Sequence, residues 1–222
     1  MPASITLQAA DGHRLSAHVA EPAGTPRGGL VVVQEIFGVN DHVRRVVEGY
    51  AADGYLTVAP ALFDRVEPGV ELGYDDAGVQ RGRALKAASD AQRALLDLAA
   101  AVAHAARAGR VGMVGYCWGG LLTWLAAANV DGLAAAVPYY GGGIPDHAAL
   151  APRCPVLAHF GARDALIPLA GVEALRRAQP GVDVQVYDAG HGFNCEQRAS
   201  FDAAAAALAR ERTLAFLRRH VG

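Results

Sequence analysis

Short apolar runs alternate with longer amphipathic stretches along the chain. Residues 5–7 and 14–19 alternate in polarity on either side of Asp11-Gly12, which predicts a β-hairpin. Residues 30–33 form a continuous apolar run after Gly28-Gly29, as a strand buried on both faces does. A helix is expected over residues 41–53 with Asp41 as its N-cap, followed by a short strand at 55–58. Residues 60–74 contain Pro68 and Gly69 and read as irregular. Leu85, Leu95, Leu96 and Leu98 recur near helical spacing and predict one long helical stretch over 76–106. Strands follow at 111–116, 133–139, 155–160 and 182–187, with a helix at 119–129 and an amphipathic helix at 200–220. Strands alternating with helices imply parallel β-α-β units, hence an α/β fold of three α/β/α layers around a mostly parallel sheet. No repeat or linker interrupts the pattern, so residues 1–222 are expected to form one domain.

Composition narrows the function classes. The 222 residues are 52% hydrophobic, which argues against a disordered chain. Twenty basic residues against 22 acidic ones leave a net charge of -2, so no broad basic field exists to hold nucleic acid or an anionic membrane. No stretch approaches the length of a membrane span, and the N-terminal residues do not read as a secretory signal. The cysteines are Cys117, Cys154 and Cys195, with no C-x-x-C spacing, which argues against a disulfide framework or a zinc site. The eight histidines form no H-x-x-x-H or H-E-x-x-H pattern. The expectation is a cytoplasmic, monomeric protein that needs neither metal nor cofactor and acts on a small molecule.

The sharpest feature is Gly115-Tyr116-Cys117-Trp118-Gly119-Gly120, between a predicted strand and a predicted helix. This is a G-x-C-x-G nucleophile elbow, the cysteine version of G-x-S-x-G. Its tight turn strains the central residue, and glycines on either side remove side chains that would clash. The thiol then stands at a helix N-terminus, where dipole and free N–H groups favour thiolate and oxyanion.

In this architecture the acid and the histidine follow the nucleophile in chain order. Asp164 in Phe160-Gly161-Ala162-Arg163-Asp164 lies just beyond a predicted strand. His191 in Gly190-His191-Gly192-Phe193 follows the last one. His191 could take the proton of Cys117 while Asp164 orients the imidazole. His159 lies inside a strand and reads as a satisfied core residue. The segment Gln34-Glu35-Ile36-Phe37-Gly38-Val39-Asn40 ends the first core strand. The N–H groups of Ile36 and Trp118 are the candidate oxyanion hole. Phe37, Trp118, Tyr139 and Tyr140 are candidate pocket walls.

Taken together, Gln-Glu-Ile-Phe-Gly-Val-Asn, Gly-Tyr-Cys-Trp-Gly-Gly, the Gly-x-x-Asp turn and Gly-His-Gly-Phe resemble the dienelactone hydrolase (carboxymethylenebutenolidase) family over almost the whole chain. The resemblance implies an α/β-hydrolase fold and a catalytic Cys117, His191 and Asp164. It also implies that Glu35 contacts the cysteine and helps form the thiolate when substrate arrives, which would shield a resting thiol from oxidation. The family further implies two arginines that hold a substrate carboxylate. Arg81 or Arg83 could supply one. The other position, four residues after the histidine, is Cys195 here, and Arg198 would need a different path.

The expected function is hydrolysis of a small lactone or ester through a Cys117 thioester. One alternative is a broad carboxylesterase or thioesterase with the same triad. A glutamine amidotransferase-like enzyme would carry its acid two residues after the histidine, where Phe193 stands. A non-catalytic redox-thiol or binding protein would have no use for the Asp164–His191 pair.

Overall fold

A computed structural model describes residues 3–222. Eight strands form one sheet: β1 (Ala3–Gln8), β2 (Arg14–Ala20), β3 (Gly29–Val33), β4 (Leu56–Pro60), β5 (Val111–Tyr116), β6 (Leu133–Tyr139), β7 (Leu157–Gly161) and β8 (Asp183–Tyr187). Their order is β1-β2-β4-β3-β5-β6-β7-β8. The hairpin β1–β2 is antiparallel and closes over Gly12 at φ 86°. Strands β4 and β3 and then β5 to β8 run parallel. The expected layered α/β architecture is therefore present, with β2, antiparallel to both β1 and β4, as the one reversed strand among those described.

Six helices connect and cover the sheet: α1 (Asp41–Ala52), α2 (Asp76–Ala88), α3 (Ala91–Ala105), α4 (Trp118–Asn129), α5 (Leu169–Ala178) and α6 (Ala203–His220). Strands β3, β4, β5 and β7 have their core positions filled by Val, Leu, Ala, Met and Phe and are buried along their whole length. Helix α6 buries Ala205, Ala209, Thr213 and Leu217, one residue per turn, which lays a narrow stripe of small and medium side chains against the sheet. No helix among the described residues is long and apolar enough to cross a membrane.

Two helix boundaries differ from expectation. The stretch over 76–106 is two helices, broken at Ser89, whose backbone is extended (φ -87°, ψ 138°). Asp90 then accepts from the Arg93 N–H and caps α3, an alternative that a short carboxylate offers the backbone and a long side chain does not. At α1 the N-cap is Asn40, not Asp41. The Asn40 side chain accepts from Val43 N–H, and Asp41 takes the first helical position, where its charge suits the dipole.

The parallel strands bring their carboxyl ends to one edge of the molecule. The loops after β3, β5, β7 and β8 meet there, and these hold Glu35 to Phe37, Cys117, Asp164 and His191.

Candidate active site

Cys117 sits between β5 and α4 with φ 56° and ψ -114°, one of two described non-glycine residues at positive φ. This is a conformation that an L-residue holds only when its surroundings force it. The flanking glycines explain how the turn closes. A Cβ at Gly115 would collide with the Gly119 carbonyl and the Thr123 hydroxyl, and one at Gly119 would collide with the Val33 and Gln34 carbonyls. Strand, helix and the neighbouring loop thus pack backbone to backbone, and the Cys117 N–H donates to the Tyr139 carbonyl at 3.0 Å.

The three residues read from the sequence stand in one line. His191 Nε2 is 3.1 Å from Cys117 Sγ, and His191 Nδ1 is 2.8 Å from Asp164 Oδ2. The second Asp164 oxygen accepts from Leu166 N–H at 2.8 Å, so both carboxylate oxygens are fixed. The Ser200 hydroxyl donates to the His191 carbonyl at 2.6 Å and secures the loop. Burial opposes a charge on the His191 ring. The Asp164 carboxylate and the Cys117 sulfur overcome that and raise the imidazole to about 9. An imidazole of that strength can take a proton from an ordinary thiol.

The loop after β3 is braced from three sides. Gln34 accepts from Leu62 N–H, Leu72 N–H donates to the Phe37 carbonyl, and Gly82 lets α2 rest directly on the Ile36 carbonyl. Neither the Ile36 nor the Trp118 N–H donates to a protein acceptor among the described residues. Trp118 is held by stacking on Phe63, with ring centroids 5.1 Å apart. Two fixed donors beside a thiol can stabilise a negative carbonyl oxygen.

Glu35 is 1% exposed, which excludes a solvated strand-end charge. Its carboxylate accepts from the Tyr74 hydroxyl at 3.2 Å and from Arg198 Nη1 at 3.2 Å. No hydrogen bond joins it to Cys117 among the described residues; the sulfur is with His191 instead. Arg198 gets there by crossing Gly192. Gly192 has φ 79°, and a Cβ on it would meet the Arg198 guanidinium. The guanidinium lies 5.8 Å from the Phe37 ring centroid, and Phe37 packs on Tyr74 at 4.3 Å. The sequence reading left Arg198 without a route; the glycine after the histidine is that route.

Two expected substrate contacts are corrected. Arg81 is half-exposed and paired with Glu67 on the surface, so its charge is already engaged. Tyr139 is fully buried, with its hydroxyl 2.6 Å from Thr213 Oγ1 on α6. The residue after it, Tyr140, has φ 35° and instead sets its ring edge against His191, with centroids 5.2 Å apart. The side chain at the site is therefore Tyr140, because the chain turns sharply where β6 ends. His159 is a satisfied core residue as expected, bonded to the Tyr187 and Thr213 hydroxyls.

The sheet order, the strained cysteine at the elbow and the Asp–His line define an α/β-hydrolase with a thiol where many such proteins carry a serine. Comparison with known proteins agrees. The model of the dienelactone hydrolase family matches residues 15–221. Carboxymethylenebutenolidases of Pseudomonas putida and Pseudomonas knackmussii are each 39% identical over 227 residues, covering 96% of this chain and 94% of theirs. A solved structure from Klebsiella pneumoniae, provisionally assigned as a dienelactone hydrolase, superposes with a TM-score of 0.86 at 32% identity. It covers 99% of this chain and 100% of its own. The chain belongs to the dienelactone hydrolase family.

Proposed function

We propose that this protein hydrolyses a small lactone or ester with Cys117 as nucleophile, through a thioester intermediate. The observation that carries the reading is the unbroken line Sγ–Nε2 at 3.1 Å and Nδ1–Oδ2 at 2.8 Å. His191 takes the Cys117 proton, and the thiolate attacks the substrate carbonyl carbon. Charge that moves to the carbonyl oxygen is met by the N–H groups of Ile36 and Trp118. The tetrahedral species collapses to a thioester, and His191 gives its proton to the leaving oxygen. His191 then removes a proton from water as the water attacks the thioester, which releases the acid and restores the thiol. Asp164 holds the imidazole in the required tautomer throughout. In a lactone the leaving oxygen stays tethered to the product; as an enolate it ketonises. The geometry supports this over an amidotransferase, since the orienting acid is Asp164 and Phe193 is fully buried in the core.

The relatives named carboxymethylenebutenolidase point to an unsaturated lactone that carries a carboxylate. Arg198 is the cation this chain offers to such a group. At rest it is shared with Glu35, so a substrate carboxylate would compete with Glu35 for it. Glu35, freed from Arg198, is then available to assist thiolate formation. A broad carboxylesterase is the second reading, favoured by Arg81 being tied to Glu67 and by a cysteine at position 195.

The deciding experiment compares cis- and trans-dienelactone with p-nitrophenyl acetate for the wild type and Cys117→Ala. The expected result is dienelactone turnover that exceeds acetate turnover and is lost in the variant. Cys117-dependent acetate cleavage with negligible dienelactone turnover would establish the esterase reading. Activity retained in the variant would overturn the mechanism.

A further inference from the structure

Beside the Cys117–His191 line, three side chains of different ligating chemistry meet. Glu35 comes from the loop after β3, His42 from the first turn of α1, and Cys195 from the loop after β8. One donor atom from each lies within 4.8 Å of the other two. All three residues are buried, at 1%, 2% and 0% exposure. Sequence spacing could not show this, because Cys195 lies more than 150 residues after Glu35 and His42 and only the sheet edge unites them.

A second observation singles out His42. Neither of its ring nitrogens has a hydrogen-bond partner, although both are inaccessible to water. The Glu196 carboxylate approaches Nδ1 to 3.0 Å but outside hydrogen-bond geometry. A buried, unpartnered polar group of this kind is destabilising, and it invites a ligand. A cavity of about 460 Å³ reaches His42 and the chain neighbours of Cys195, Asn194 and Glu196, although Glu35 and Cys195 themselves do not line it.

We propose that Glu35, His42 and Cys195 form a binding site for a divalent ion of the zinc class. A thiolate, an imidazole and a carboxylate together suit Zn²⁺ or Co²⁺ and do not suit Mg²⁺ or Ca²⁺, which take oxygen ligands. Tetrahedral bonds of about 2.0–2.3 Å place donors roughly 3.3–3.8 Å apart, so the site contracts by about 1 Å on binding. The fourth position is left to water or to Glu196. Coordination forms a metal–sulfur bond and breaks the Cys195 S–H bond, and the proton passes to solvent. Glu35 and the Cys195 thiolate offset the ion's charge, and with Arg198 still on Glu35 the four groups together carry one net positive charge. A carboxylate has about four lone-pair positions, so Glu35 can keep Arg198 while it ligates. The occupied site sits on the flank of the thiol chemistry and draws on the same glutamate.

The test is titration of metal-free protein with Co²⁺, read by the near-ultraviolet thiolate-to-cobalt charge-transfer band, without substrate. Wild type and Cys117→Ala should each bind a single equivalent with that band, and Zn²⁺ should displace it. Cys195→Ser should lose the band, and His42→Gln should weaken binding by about 100-fold or more. Thermal unfolding shows whether each variant is folded; if Cys195→Ser is not, His42→Gln decides. Absence of the band in wild type overturns the proposal. So does a band that vanishes in Cys117→Ala, which would put the ion on Cys117 and His191, and so does unchanged affinity in His42→Gln. Because no turnover is measured, these outcomes stand apart from the fate of the Cys117 mechanism.

Discussion

Asp164→Asn is the substitution that tests the acid of the proposed triad, and the structure sets its size. One Asp164 oxygen accepts from Leu166 N–H and the other faces His191 Nδ1, both at 2.8 Å. An asparagine keeps the Leu166 bond by placing its amide oxygen there, and its NH₂ then faces Nδ1. Nδ1 must accept, so the ring proton moves to Nε2 and points at Cys117 Sγ. The base loses its lone pair where it needs one. The charge is lost as well. Burial alone would push the His191 imidazole down, and Asp164 leads the groups that lift it from 6.5 to about 9. A rise of that size is worth about 3 kcal/mol, or roughly two powers of ten in the population of the thiolate–imidazolium pair. The wrong tautomer adds to this, so kcat/KM should fall about 10³–10⁴-fold.

The pH profile gives an independent reading of the same variant. In the wild type the imidazolium that His191 forms by taking the Cys117 proton persists up to about pH 9, so kcat/KM should decline above that. In Asp164→Asn burial acts without the opposing anion, and the same limb should move roughly two or more pH units lower. The assay is p-nitrophenyl acetate hydrolysis from pH 5 to 10, with thermal unfolding as a check on the fold. A variant within tenfold of wild type at pH 7, with an unmoved alkaline limb, would refute the role of Asp164.

Three further perturbations test the surroundings. Arg198→Ala should raise KM for a carboxylate-bearing lactone about 10–100-fold relative to p-nitrophenyl acetate, the worth of a charged hydrogen bond; equal loss on both substrates would deny Arg198 a part in recognition. Gly192→Ala forces an L-residue to φ 79° and pushes the Arg198 guanidinium aside. It should cost about 1–2 kcal/mol, roughly 2–8 °C in Tm, and reproduce the selectivity loss of Arg198→Ala; an unshifted Tm and KM would show that the route over Gly192 does not matter. Burial and then Arg212 hold His159 neutral, down to about 3. The unfolded chain takes up a proton near 6.5 that the fold refuses, so stability is unaffected above that pH and declines as pH falls toward 3. By pH 5 the loss is about 2 kcal/mol in urea unfolding, and His159→Gln should abolish it; the same slope in both proteins would place the acid sensitivity elsewhere.

The elbow and its partners were legible because each is a local event at the end of a strand. Gly115 and Gly119 flank Cys117 within a five-residue motif, even though the atoms that demand Gly119 belong to the distant Val33 and Gln34, and Asp164 and His191 follow strands whose apolar runs are plain. Side chains that cross between loops were not legible. Tyr139 and Tyr140 are adjacent and alike in composition, and only the backbone turn at Tyr140 separates a core tyrosine from one that touches His191. Arg81 lies in the expected segment, but Glu67 fourteen residues earlier engages it. The break at Ser89 escaped the periodicity because Leu85 and Leu95 face the same core from two different helices.

The glutamate at position 35 and the arginine at 198 make sense together. Glu35 is buried just beyond β3, and a carboxylate there is tolerated only with a cation beside it. Without one, Glu35 would be stranded at a cost of about 3–5 kcal/mol for an unpaired buried charge. Arg198 removes that cost, and it can do so only because Gly192 has no side chain to block the guanidinium. His191 and Glu35 thus each have one oppositely charged partner, Asp164 on one side of the thiol and Arg198 on the other. The first pair is secured by two hydrogen bonds to fixed groups, whereas the second joins its cation by one bond at 3.2 Å. The looser pair is the one a substrate carboxylate can open, and the tighter one is the one the thiol chemistry requires to stay closed.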